Sequence, residues 1–183
     1  MSLARTRIAA RLLAVCAMAA LTAGCFQPMY AEHADGTPGL RDKLMGVELP
    51  PVDKPNASPE ARIGVEIRNA LAFKLYGTAT GTAPTHKLVL RFATSRSSLL
   101  VDVNTGLPTS ENFGIDAQYN LVDVATNKSV MTGTTFSRVT YDMPGSYQRF
   151  ARTRALRDAE DRAAQEIADN IQTRLASFFF AGT

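Results

Sequence analysis

Two cysteines and two histidines among 183 residues leave little from which to build a metal centre, a disulfide framework or a thiol- or imidazole-based catalytic site. No HExxH, CxxC or G-x-S-x-G spacing occurs, so the common zinc, redox and serine-hydrolase arrangements are excluded. His33 falls in a Gly/Pro-rich stretch and His86 at the start of an extended segment, and both read as solvated histidines. Gly77 and Gly81 are not followed by Lys-Ser/Thr, which removes a phosphate-cradling loop. Long apolar runs are equally scarce. The best of them, Leu12 to Leu21, is about half of the roughly 20 residues a helix needs to cross a bilayer.

That short run is nevertheless informative. Arg5, Arg7 and Arg11 precede or open it, and Leu21-Thr22-Ala23-Gly24-Cys25 closes it. A basic start, a short apolar middle and small residues before a cleavage point predict a leader over residues 1–24. The closing residues resemble the L-x-[GA]-C lipobox of bacterial lipoproteins, which implies acylation of Cys25 and a mature chain that begins there. Three acyl chains greatly exceed the marginal hold of one. Removing the leader takes three arginines and no acid, so 17 basic and 17 acidic residues remain. The basic excess of the whole chain therefore says nothing about nucleic acid, and no nucleic-acid partner is expected. Cys16 leaves with the leader and Cys25 is consumed by lipid, so the fold must stand without a disulfide. The 159 residues left suit a single domain.

Residues 25–42, with Pro28, Gly36, Pro38 and Gly39, read as a tether. The domain is predicted over 43–183. Lys43 to Leu49 reads as a short strand stopped by Pro50-Pro51. Ser58-Pro59-Glu60 starts a helix, because Ser caps free N–H groups, Pro fits the first turn and Glu suits the positive end of the dipole. Ile63, Ile67, Ala70, Leu71 and Leu75 form one apolar stripe, Val65, Ala72, Phe73 and Tyr76 a second, and Gly77 the stop. Two stripes fit either a partner surface or a helix wedged between its sheet and a second helix.

From His86 to Val103, Leu88, Leu90 and Phe92 alternate with Lys87, Val89 and Arg91, while Leu99, Val101 and Val103 alternate in the opposite parity. The switch predicts a bulge near Ser95 to Ser98. Phe113, Ile115, Ala117, Tyr119 and Leu121 make the clearest half-buried strand, and residues 125–128 turn it into a hairpin with Ser129 to Tyr141. A long helix follows from about Tyr147 to Phe179, with Ala155, Ala159, Ala163, Ile167, Ile171, Leu175 and Phe178 on one stripe. Asp158, Glu160 and Asp161 sit among arginines and read as a solvated face. The order β-α-β-β-β-α predicts an α+β two-layer sandwich, a four-stranded, mostly antiparallel sheet with two helices on one face.

The residues Leu21 to Tyr30, Asn120-Leu121-Val122-Asp123 through Gly133, and Ser137 to Pro144 leading into Ala163-Ala164 and Ile167 to Ile171 resemble the LptE family of lipopolysaccharide-assembly lipoproteins, in its alphaproteobacterial form. The resemblance spans the chain and rests on order, spacing and length together. It implies no enzymatic activity, no cofactor and no metal. It further implies a lipid anchor at Cys25 in the inner leaflet of the outer membrane, and a seat as plug inside the β-barrel of LptD. Direct contact with lipopolysaccharide is also implied, through basic groups at the turn between the second and third strands and at the start of the last helix. Here that turn, Asn104 to Glu111, is not basic. The cationic candidates are Arg149, Arg152 and Arg154 by the last helix and Arg91 and Arg96 on the second strand, with Asn104 and Thr105 as loop contacts to barrel or lipopolysaccharide. A lipoprotein adaptor in another envelope machine and a lipoprotein enzyme with an unrecognised site stay open.

Overall fold

The computed structural model describes residues 38–77, 82–103, 106, 108–143 and 148–181. Cys25, Asn104 and Thr105 lie outside them. The elements are α1 (Leu40–Met45), β1 (Val47–Glu48), α2 (Pro59–Tyr76), β2 (His86–Val101), β3 (Pro108–Asp123), β4 (Ser129–Asp142) and α3 (Arg149–Ala181). The sheet runs β1-β2-β3-β4 in space, with β1 parallel to β2 and the other pairs antiparallel. This is the expected α+β sandwich with one short helix added in front.

That helix corrects the reading of Lys43 to Leu49 as a strand, and it opens at Leu40, inside the stretch read as tether. Leu40 and Leu44 stand four apart and are both buried, a spacing that helix and strand alike place on one face, so it does not tell the two apart. Gly46 ends the turn, its N–H donating to the Asp42 carbonyl at 3.1 Å while its own carbonyl accepts from Thr85 and His86 N–H. A side chain on Gly46 would meet Thr85 Oγ1 at 2.7 Å. Only Val47 and Glu48 remain to pair with β2.

α2 starts and stops as its sequence dictates. Ser58 Oγ accepts from Ala61 N–H at 3.0 Å, Pro59 occupies the first turn, and Gly77 closes the helix at φ 62°, a conformation that glycine adopts without strain. Ile63, Ile67, Leu71 and Leu75 are buried, whereas Val65 and Phe73 of the second stripe are exposed. Ala72 and Tyr76 of that second stripe are partly buried against the core.

In the sheet, Leu88, Phe92, Phe113, Ile115, Leu121 and Val139 turn inward and meet Ala159, Ala163, Ile167, Ile171 and Leu175 of α3 in one buried cluster. The alanines let the helix axis approach closely. Tyr119 lies across Gly133, its register partner on β4, and a Cβ there would collide with the ring hydroxyl. The opposite sheet face presents Arg91, Gln118, Thr132, Thr134 and Phe136 to solvent. Arg138 folds over Gly114 on that face to reach both Asp116 oxygens at 2.8 and 2.9 Å.

The parity switch lies slightly later than Ser95 to Ser98. β2 keeps register with β3 through Ser98↔Glu111, then slips between Ser98 and Leu100 and again between Leu100 and Val101. Thr94 and Arg96 continue the inward parity of Phe92, so the ladder has no reason to break until the sheet outruns its core.

Candidate functional site

Where β2, the first turns of α2 and the early part of α3 converge, a groove of about 510 Å³ opens. Arg62 of α2, Arg96 of β2 and Arg157 of α3 reach it, and Val65, Leu156 and Ala61 supply apolar wall. Each arginine is positioned by a periodicity. Arg96 shares the inward parity of Leu88 and Phe92 beyond the end of the hydrophobic core, Arg62 stands one turn into α2 beside the Ser58 cap, and Arg157 lies two turns into α3.

Glu160 forms the floor. It is 3% exposed, in close contact with Arg62 Nη2, while Arg62 Nη1 also meets Asp161 at 3.2 Å. Burial pushes the Glu160 carboxyl above the ordinary carboxylate range, opposed by Arg62, Arg96 and Arg157 nearby. A desolvated carboxylate with one partner cannot neutralise three guanidinium groups. Arg96 and Arg157 are left with donors for an anion, and guanidinium forks match phosphate or carboxylate geometry. Beside the groove, burial and then a hydrogen bond to Glu111 push the Tyr141 hydroxyl up to about 12.

α3 adds positive potential at the same end. Its first turn holds no acidic residue while Arg149 and Arg152 occupy it, against the preference of the helix dipole for anions there. Arg149 is exposed, and Arg152 rests on Met143 Sδ at 3.8 Å. Arg154 is exposed one turn on.

The structure thus groups Arg96 with Arg149 and Arg152 at one end, but separates Arg91. Arg91 has the opposite parity and lies on the open sheet face against Gln118 and Thr134, in a shallow cleft. Reading Asp158, Glu160 and Asp161 together as a solvated face is corrected for Glu160, and the structure adds Arg62 and Arg157 to the candidate residues. The signal was present. Glu160 stands four residues after Leu156, four before Ala164 and seven before Ile167, on the buried stripe itself. Among the described residues no cluster of His, Cys, Asp and Glu could hold a metal ion.

Comparison with known proteins agrees with this architecture. A protein of Caulobacter crescentus assigned as a lipoprotein superposes with a TM-score of 0.60 at 24% identity, over 79% of this chain and 97% of its own. A minor lipoprotein of Acinetobacter baumannii superposes with a TM-score of 0.50 at 12% identity, over 72% of this chain and 88% of its own. Both share the fold. No match is found among curated protein sequences. The profile of the LptE lipopolysaccharide-assembly family matches residues 44–175, from α1 through nearly all of α3, and the chain belongs to that family.

Proposed function

We propose that this chain is an outer-membrane lipoprotein that docks within an LptD-type β-barrel and takes part in delivering lipopolysaccharide to the outer leaflet. In this reading residues 1–24 are a leader, residues from Cys25 onward a tether, and the acylated Cys25 holds the domain to the inner leaflet. Family membership and the lipoprotein assignment of its structural neighbours support the placement.

The observation that carries the reading is the end groove. An anionic amphiphile presents phosphates next to hydrocarbon, and the groove sets Arg96 and Arg157 beside the apolar wall of Val65, Leu156 and Ala61. Arg149 and Arg152 extend the positive field that draws an anion in. Arg91, apart from the groove, is assigned to the barrel, and the loop residues Asn104 and Thr105 to contact with barrel or lipopolysaccharide. A polar-faced sandwich suits the polar lumen of such a barrel.

Affinity purification of the native chain from detergent-solubilised outer membranes tests the partnership. A large β-barrel protein should copurify in near-equal amount, and Cys25→Ala should abolish fatty-acid labelling. Recovery without a barrel protein, or labelling that persists in Cys25→Ala, would contradict the assignment.

A further inference from the structure

The two edges of the sheet are finished differently. Along β2, the short β1 pairs with His86 and Lys87, and the segment holding Pro50, Pro51 and Pro55 supplies a lysine guard. There Lys54 donates to the Phe92 carbonyl at 2.8 Å and stands 4.7 Å from the centre of the Phe92 ring. Beyond β4 no further strand lies among the described residues. An antiparallel strand turns the backbone groups of alternate residues toward its partner and those of the others away. Arg138 Nη1 reaches the carbonyls of the register partners Ser137 and Ile115 together, at 2.9 and 3.2 Å, so the groups of Ser137 face β3. The Thr140 carbonyl accepts instead from Arg162 of α3 at 3.5 Å. By the same alternation Thr132, Thr134, Phe136 and Arg138 turn their N–H and C=O groups to the free edge.

Natural sheets guard their edges with lysine, proline, bulges or short strands. From Ser129 to Ser137, β4 has neither a charge nor a proline, and from Met131 to Asp142 it keeps unbroken register with β3. Phe136 stands on it at 66% exposure. The first cation along the strand, Arg138, is already folded onto Asp116. Such a neutral strand meets a second copy of itself with no like charges opposed. A two-fold axis through Thr134 sets that residue against its own copy and Phe136 against Thr132 on either side. Thr–Thr and aromatic–β-branched pairs are favourable cross-strand neighbours, and this register stops short of Thr140. An axis through Phe136 would instead need the Thr140 carbonyl that Arg162 occupies.

We propose that two copies of the free chain join along β4, antiparallel and centred on Thr134, so that two four-stranded sheets become one continuous sheet. Thr132, Thr134 and Phe136 of each copy then exchange their outward N–H and C=O groups, and both Phe136 rings gain cover. The pairing rests on β4 alone and not on the barrel reading. Where that reading holds, a lumen that seats one domain has no room for two, so pairing and docking exclude each other. The dimer is then the form in which the lipoprotein keeps its open edge covered before a barrel receives it.

Thr134→Cys sets two thiols across the axis with Cα atoms about 5.5 Å apart, within reach of a disulfide. In cells making the full chain, mild oxidation should link Thr134→Cys into a dimer on non-reducing gels. The same treatment should leave wild type and Asn69→Cys, exposed on α2, as monomers. Sedimentation velocity of the purified full chain carrying Cys25→Ala should show a concentration-dependent dimer. Thr134→Pro should abolish it with circular dichroism unchanged, because β3 does not use that N–H. Thr134→Lys and Thr134→Glu, which oppose like charges on the axis, should each weaken it roughly tenfold or more, and an equal mixture of the two should restore it. No disulfide at 134, equal linkage at 69, sedimentation indifferent to these substitutions, or no recovery in the mixture would overturn the proposal. So would a disulfide at 134 to a different protein only, which would assign the edge to another chain's strand.

Discussion

The two ends of this sandwich are built from similar materials to opposite effect. At the base, where α1, β1 and the last turns of α3 meet, Leu40, Leu44 and Phe179 are buried, His86 packs edge-on against Phe179 at 5.1 Å, and side chains cap backbone carbonyls. Lys43 serves Phe179, Tyr76 serves Val47, and Arg68 serves Leu49 at 2.8 Å. At the tip, arginines gather around one buried carboxylate and large apolar residues face outward. The base spends its polar groups on closing the fold, whereas the tip leaves its donors and its hydrocarbon unspent. In the proposed function, stability belongs to one end and recognition to the other.

The largest effect should come from breaking what both ends share. Ile167 is fully buried between α3 and the sheet, and Ile167→Asp sets an unpaired charge there, at a cost of about 3–5 kcal/mol. Thermal unfolding of the purified chain should show no cooperative transition near physiological temperature. Next, Gly133→Ala forces Tyr119 off the sheet at a cost of about 1–3 kcal/mol, read as a lowered denaturation midpoint. Combination with Tyr119→Phe should recover only a small part of it, because the ring carbon Cζ stands in the way as well as the hydroxyl.

Glu160 separates the two roles more finely. Its folded-state pKa is raised, so between the ordinary carboxylate value and the raised one the folded protein holds more protons than the unfolded chain. Its contribution to stability therefore falls as pH rises through that window. Glu160→Gln should flatten that slope in urea titrations run across the carboxylate range and just above it. An unchanged slope would place the titrating group elsewhere. The smallest effect belongs to the open face, where Arg91→Glu should change stability by no more than about 0.5 kcal/mol, measured by the same titrations.

Much of the domain is written in short-range pattern. The Ser58-Pro59 start, the Gly77 stop, the inward set from Phe113 to Leu121 and the stripe from Ala159 to Leu175 all follow from caps and periods, and each is found where the pattern puts it. α1 was hidden because two leucines four apart before a glycine are too little to distinguish a turn of helix from a strand. The bulge is displaced because parity tells that a slip occurs but not which residue absorbs it. The groove was only half visible. Arg96, Arg149 and Arg152 could be singled out by charge near the strand and helix ends, but their association with Arg62, Arg157 and Glu160 is a matter of how α2 and α3 cross, which no local pattern encodes. A glutamate between arginines looks solvated until its place on the apolar stripe is counted.

The division of labour between the ends is tested most directly by lipopolysaccharide binding to the full chain, compared among wild type, Arg91→Glu and the pair Arg96→Glu with Arg157→Glu, each with circular dichroism to verify the fold. Two charge-assisted hydrogen bonds are lost and two repulsions gained in the pair, so affinity should fall roughly tenfold to a hundredfold, while Arg91→Glu binds as wild type does. Wild-type affinity in the paired variant, or an equal loss from Arg91→Glu, would contradict a recognition site at the tip.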